Sequence, residues 1–212
     1  MNNRHVLAAV AGVAAVVILA YGPSLNNKFV NWDDDAHLLE NPFVHPINAR
    51  DIFTTTVNGI YIPLTSLSFA LEYHFFKAHP FVYHLDNLLL HSAVTAMVFL
   101  FCLRSGLSLP AAGAAALIFG LHPAHVESVA WVTERKDVLH AFFYMLALLC
   151  YLRHLRRLGQ GAACRRGWEF WLTLIFGFLS VLAKPSALSL PWILFLLDWF
   201  FRRKLTIRSC VE

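Results

Sequence analysis

VLAAVAGVAAVVILAY, residues 6–21, decides how the rest of the chain is read. It carries no charge and nearly reaches the ~20 apolar residues with which a helix crosses a bilayer. Similar runs recur at 84–103, 111–121, 138–152, 168–183 and 186–201. The chain has 212 residues, of which 58% are hydrophobic and only 14% charged. A soluble domain of this length needs a far more polar surface. Backbone groups in lipid must be satisfied within their own segment, so the spans are expected to be helical. A β-barrel would show alternating polarity, and these runs are continuous. The expected fold is all-α: a polytopic membrane helix bundle of about six spans, forming a single domain over 1–212.

The head MNNRH precedes the first run, and no small-x-small cleavage site precedes Gly22-Pro23. This favours a retained helix over a signal peptide. The stretch 24–61 reads as a polar loop broken by Pro42 and Pro46. PLTSLSFALEYHFF, Pro63 to Phe76, puts Leu64, Leu67, Leu71 and Phe75 on one helical face. It holds too many polar residues for a span, so it is expected flat on the outer membrane surface. The third run is short and needs flanking residues or a thin bilayer.

Charge sets the expected topology. With the N-terminus in the cytoplasm, eleven basic residues fall inside: Arg4, Arg104, Arg153, Arg156, Arg157, Arg165, Arg166, Arg202, Arg203, Lys204 and Arg208. That basic excess inside is what the positive-inside rule requires, and most acids fall outside as well. The formal net charge of +4 is thereby a topology signal and no sign of nucleic-acid binding. Cys102 and Cys150 lie in apolar runs, and Cys164 and Cys210 in basic loops. Their spacing suggests neither disulfides nor a metal site.

Three polar clusters share the outer side. Asp33, Asp34 and Asp35 follow Trp32. Adjacent carboxylates repel one another, which favours a proton or a cation among them, although such a run also reads as a solvated loop. HPAHVESVAWVTERKD, residues 122–137, gathers His122, His125, Glu127, Arg135 and Lys136. The two histidines lack the i,i+4 spacing of a zinc helix, so no metal ligand set is assigned. Arg135 and Lys136 suit a phosphate, and the alternative is ordinary ion pairing with Glu134. His84, Asn87, His91 and Thr95 form a stripe on the second span, facing the bundle interior or a cavity. Lys184 adds a cation at the outer end of the fifth run.

FVNWDDDAHLLENP, YIPLTSLSFAL, PFVYHLDNLLLH, HPAHVESVAWVTERKDVL and LAKPSALSLPWILFLLDWFFRR occur in this order. Together they resemble the membrane part of the transmembrane and tetratricopeptide-repeat O-mannosyltransferases, within the GT-C glycosyltransferases, from about Tyr21 to Arg203. The resemblance implies a sugar, mannose in the eukaryotic members, carried on a polyprenyl phosphate. It would pass outside the cytoplasm to a hydroxyl of a protein or glycan acceptor. The family's acidic pair matches Asp33 and Asp34, with Asp35 beyond it. A carboxylate there would take the acceptor's proton, and Arg135, Lys136 and Lys184 would neutralise the leaving phosphate. Tyr61-Ile62-Pro63-Leu64 stands where many relatives carry a basic residue or an imidazole before the proline, which weakens a substrate role at that position.

No cofactor follows from these residues, and a divalent cation at the acidic run is left open. The expected setting is a bacterial inner membrane. Family members continue into further spans and repeats, so this chain is expected to be the N-terminal part, with a second subunit supplying the remainder. The alternative is a non-catalytic membrane protein that binds polyprenyl phosphate or a partner subunit. A transporter would call for inverted repeats or broken helices.

Overall fold

The computed structural model describes residues 3–159 and 167–201. Among them the regular structure is helical: α1 Asn3–Tyr21, α2 Ala49–Thr54, α3 Pro63–Phe76, α4 Pro80–Arg104, α5 Leu109–Gly120, α6 Val126–Ala130, α7 Arg135–Gly159, α8 Trp168–Ala183 and α9 Leu190–Phe200. Three segments are long and apolar enough to cross a membrane: 3–26, 80–104 and 132–159. The run at 111–121 does not span alone. As α5 it has 12 residues, or about 18 Å of helix, against a hydrocarbon core of about 30 Å. It continues past a 49° bend into Pro123–Ala130, and the two together have the length and composition of one span. Pro123 has no N–H for a continuous helix, and His122 caps the new turn by accepting from Ala124 N at 3.2 Å. The runs at 168–183 and 186–201 form shorter apolar helices.

α4 and α7 are the central pair, each 25 residues long. Arg135 at the start of α7 binds Tyr83 and Asn87 at the start of α4. Arg156 near the end of α7 binds the Arg104 carbonyl at the end of α4. The two helices therefore run parallel, which requires the chain to return through α5 and α6. α1 and α5 run antiparallel to α4, because Val17 and Gly120 approach Thr95 and the Tyr21 ring stands edge-on to His91. α8 runs antiparallel to α7. Ser180 Oγ donates to His140 O at 2.9 Å, and Arg157 reaches Glu169 at the far end. Small side chains such as Thr173, Gly177 and Ser180 let α8 sit close to its neighbours.

The stretch 24–61, expected as a polar loop, is folded. Leu38, Val44 and Ile52 bury against Phe69, Ala70, Tyr83 and Val132. This small apolar core seats the loop on α3, α4 and the segment before α7. The polarity of the stretch hid these three residues because they are widely spaced. α3 has the bounds expected for it. It docks through Thr65, Ser66, Phe69 and Ala70, while Leu71 and Phe75 remain exposed. The expected apolar stripe is therefore divided: Leu67 packs on the small core and Leu64 is half-buried, while Leu71 and Phe75 alone face outward.

The bundle is tightest at Gly120. A Cβ there would lie 2.6 Å from Thr95 Cγ2 and 2.9 Å from Val17 Cγ2. Gly120→Ala should destabilise the protein by about 1–3 kcal/mol, read as a lower melting temperature in detergent. An unchanged melting temperature would contradict the three-helix contact.

Candidate functional site

Asp34 is the anchor of the site. It is 1% exposed. Its Oδ2 accepts from Val30 N at 2.9 Å. Its Oδ1 accepts from Thr133 N at 3.1 Å and from the Thr133 hydroxyl. Two polar clusters nearly 100 residues apart in sequence are thereby joined through one carboxylate. Charge-assisted bonds of this kind are worth about 1.5–3 kcal/mol each, because the ionised acceptor is satisfied inside the protein.

Asp33, the neighbouring acid, is half-buried, and its Oδ1 accepts from Asn58 Nδ2 at 3.2 Å. Asp35 opens a π-helical turn, Asp35–Leu39, closed by Glu40 N to Asp35 O at 2.7 Å. The wide turn rotates His37 and Leu38 inward, and both are buried. Burial, helped by the Lys136 ammonium, pulls the His37 imidazole below its usual range, against the opposing influence of Asp33 and Asp34. His37 belongs to the site although its place in a run of acids and leucines gave no sign of it.

A cavity of about 330 Å³ lies beside this anchor, lined by Lys28, Phe29, Asp34, His84, Trp131 and Val132 among others. His84 is 1% exposed, and neither ring nitrogen makes a hydrogen bond of good geometry. The imidazole interacts with the Lys28 backbone, and with no close hydrogen bond at a cavity wall it suits contact with a bound molecule. A second, more apolar cavity of about 620 Å³ adjoins it, sharing Asn27 and Ala130 and lined by Tyr21, Pro23, Leu121, Pro123 and Val126.

The stripe on α4 faces the interior throughout. Asn87 Nδ2 donates to Trp131 O at 3.0 Å, the His91 ring nitrogen Nε2 pairs with Gly120 O at 2.9 Å, and Thr95 bonds to His91 O. His91 packs on Phe119 and His125, and His125 lies 6.3 Å from His122, centroid to centroid. These histidines form a group apart from Asp33 and Asp34. Glu127 is exposed, and Tyr61 donates to Phe53 O at 3.0 Å on the loop surface. Among the described residues no three His, Cys, Asp or Glu side chains converge as a metal site.

The three cations expected at the phosphate differ in what they can reach. Arg135 is 0% exposed. Its Nη1 donates to Glu72 at 3.0 Å and Asp86 at 2.7 Å, its Nη2 to Tyr83 O at 2.9 Å and its Nε to Asn87. The guanidinium also lies 5.3 Å from the Phe69 ring centre. It knots α3, α4 and α7 together, and each of its nitrogens is engaged by a protein acceptor. Lys136 pairs with Glu134 at 2.6 Å and is buried. Lys184 pairs with Asp137, which also accepts from Ser128, and its side chain is 30% exposed. Glu72, Asp86, Thr133 and Asp137 were not singled out in the sequence. The available signal was a carboxylate inside each of two apolar helical stretches, which a buried cation must answer.

Residues 37–208 match the family described as PMT, dolichyl-phosphate-mannose-protein mannosyltransferase. The chain belongs to that family. It is 33% identical over 199 residues to Protein O-mannosyl-transferase Tmtc1 of Drosophila melanogaster, covering 86% of this chain and 22% of that protein. It is 35% identical over 181 residues to mouse Protein O-mannosyl-transferase TMTC2, covering 81% and 21%. Human TMTC1 is 30% identical over 216 residues, covering 91% and 24%. The chain therefore spans about a fifth of the length of these curated relatives. No solved structure matches it.

The Arg135 knot has two measurable consequences. Arg135→Leu removes the donors to the Glu72 carboxyl and to Asn87 Oδ1 in the interior and should destabilise by about 3–5 kcal/mol in detergent unfolding. The second concerns pH. Burial pushes the Glu72 carboxyl up to about 8, and the pull of Arg135, shared with Asp86, does not offset it. A raised folded-state value means stability fully present below the ordinary carboxylate range and lost as pH rises through about 8. Glu72→Gln should flatten that decline in melting temperature. An equal decline in the variant would assign it elsewhere.

Proposed function

We propose that this chain forms the acidic-loop part of an O-mannosyltransferase site, transferring a sugar from a polyprenyl-phosphate donor to an acceptor hydroxyl on the extracytoplasmic side. The observation that carries this is the Asp34–Thr133 junction, which sets the Asp34 carboxylate, with Asp33 next to it in the chain, at a cavity walled by His84 and Trp131. Membership of a mannosyltransferase family supports the reaction class. The relatives' names support a protein acceptor.

Asp33 is the residue assigned as base. Asp34 has both oxygens committed and is buried, whereas Asp33 holds one weak partner on a half-exposed loop. In the reaction, the acceptor oxygen attacks the sugar's anomeric carbon and its proton passes to Asp33. The bond from that carbon to the phosphate oxygen breaks, and the polyprenyl phosphate leaves with the electron pair. Lys184, partly exposed and paired with Asp137, and Lys136, paired with Glu134, are assigned to balance that charge, with His84 as a further contact in the cavity. Arg135 is assigned a positioning role through α7, in place of direct phosphate contact. The adjoining apolar cavity gives the prenyl chain a path from the lipid.

The test is sugar transfer from polyprenyl-phosphate mannose to an acceptor peptide, using the full protein with its further segments or partner. Asp33→Asn should lower transfer by about 10²-fold or more with little change in melting temperature or donor binding. Asp34→Asn should lower both transfer and stability. Transfer undiminished in Asp33→Asn would remove the assigned base. Donor binding without transfer in the unaltered protein would favour the non-catalytic reading.

A further inference from the structure

At the end of the bundle away from Asp33 and Asp34, Arg104, Arg153 and Arg156 line a pocket of about 210 Å³. Arg104 ends α4, and the other two lie on the last turns of α7. Arg156 donates to the Arg104 carbonyl, which holds the two helix ends together. Arg157 stands beside them and pairs with Glu169 at 3.0 Å, while Arg153 reaches the same carboxylate only at 3.8 Å. Among the described residues Glu169 is the carboxylate that meets this group of four guanidinium groups, through Arg153 and Arg157, and it is itself buried.

We infer that this pocket binds the phosphate of an anionic phospholipid headgroup. Positive charge at a helix end agrees with the topology rule alone, but a concave site walled by three arginines goes further. Guanidinium groups offer forked N–H donors that match phosphate oxygens. The height of the pocket in the bundle favours a lipid over a soluble phosphate. The Arg153 guanidinium lies 4.8 Å from the centre of the Trp168 ring, and Trp168 is 51% exposed. Exposed tryptophans at helix ends sit at the level of the headgroups, so the arginines lie where a lipid phosphate lies. The nearby Glu169 fixes Arg153 and Arg157 from the protein side and leaves Arg104 and Arg156 as the principal lipid donors. The inference stands on this end of the bundle alone and is independent of the reaction assigned to the other end.

The test is lipid binding by the full chain in nanodiscs of phosphatidylcholine with increasing phosphatidylglycerol, read as retained lipid by native mass spectrometry and as melting temperature. The unaltered protein should retain phosphatidylglycerol over phosphatidylcholine and melt higher with it. Arg104→Gln with Arg156→Gln should weaken that preference by about tenfold or more, from ~1 kcal/mol per basic residue at a membrane surface. Arg50→Gln, on the folded loop at the opposite end, should bind as the unaltered protein does. Should the double glutamine variant not fold, Arg104→Lys keeps the charge without the fork and should bind more weakly. Equal retention of both lipids, or undiminished preference in both altered proteins, would overturn the inference. So would inorganic phosphate displacing phosphatidylglycerol at matched concentration, which would make free phosphate the ligand.

Discussion

A guanidinium with no exposed surface must have its donors answered inside the protein, and the half of this bundle that carries the acidic loop is arranged around that demand. Arg135 reaches Glu72 on α3, Asp86, Asn87 and Tyr83 on α4, and lies against Phe69. Removing such a charge's partners is far more costly than the net gain from pairing it, so the interaction acts chiefly as a constraint on geometry. It fixes the first turn of α7 against the first turn of α4, which forces the two long helices to run parallel. It also holds α3 across their ends, with Leu71 and Phe75 turned outward.

The second constraint depends on the first. Thr133 lies two residues before Arg135, so fixing Arg135 fixes the donor pair that Asp34 accepts. Asp34 draws the acidic loop onto the segment before α7, and Leu38, Val44 and Ile52 complete the seal. What remains outside these commitments is Asp33, His84 and the partly exposed Lys184. Catalytic chemistry requires groups that are held in place yet not fully satisfied, and these three fit that description while Arg135 and Asp34 do not. Under the proposed reaction, residues that read alike in the sequence thus divide into those assigned to position and those assigned to meet substrate.

The helical membrane fold was legible in the sequence because continuous apolar runs admit few alternatives in lipid. Pro63–Phe76 was legible to the residue, since Pro63 opens it and polar residues follow Phe76. The interior direction of His84, Asn87, His91 and Thr95 followed from helical spacing. The bend after Gly120 was foreshadowed only as a span too short for its task. The folded loop was not legible, because its core residues are separated by polar turns and bury against distant helices. Nor was the fate of Arg135. Local sequence shows Glu134 and Asp137 nearby, whereas its partners Glu72 and Asp86 lie far upstream and meet it only in the packed bundle. Arg104, Arg153 and Arg156 were visible as a charge bias, but the pocket they line needed α4 and α7 to be parallel.

Under the proposed function, donor lipid enters the paired cavities beside Asp34 and His84 and leaves the apolar groove between α8 and α9 aside. That groove, about 310 Å³ and lined by Leu174, Phe178, Leu188 and Leu194 among others, is the other apolar space of comparable size among those described. Photocrosslinking with a diazirine-bearing polyprenyl-phosphate mannose, followed by peptide mapping, separates the two most directly. Crosslinks should fall on 20–34 and 121–133 and be displaced by unlabelled donor. Displaceable crosslinks confined to 173–194 would contradict the placement of the site.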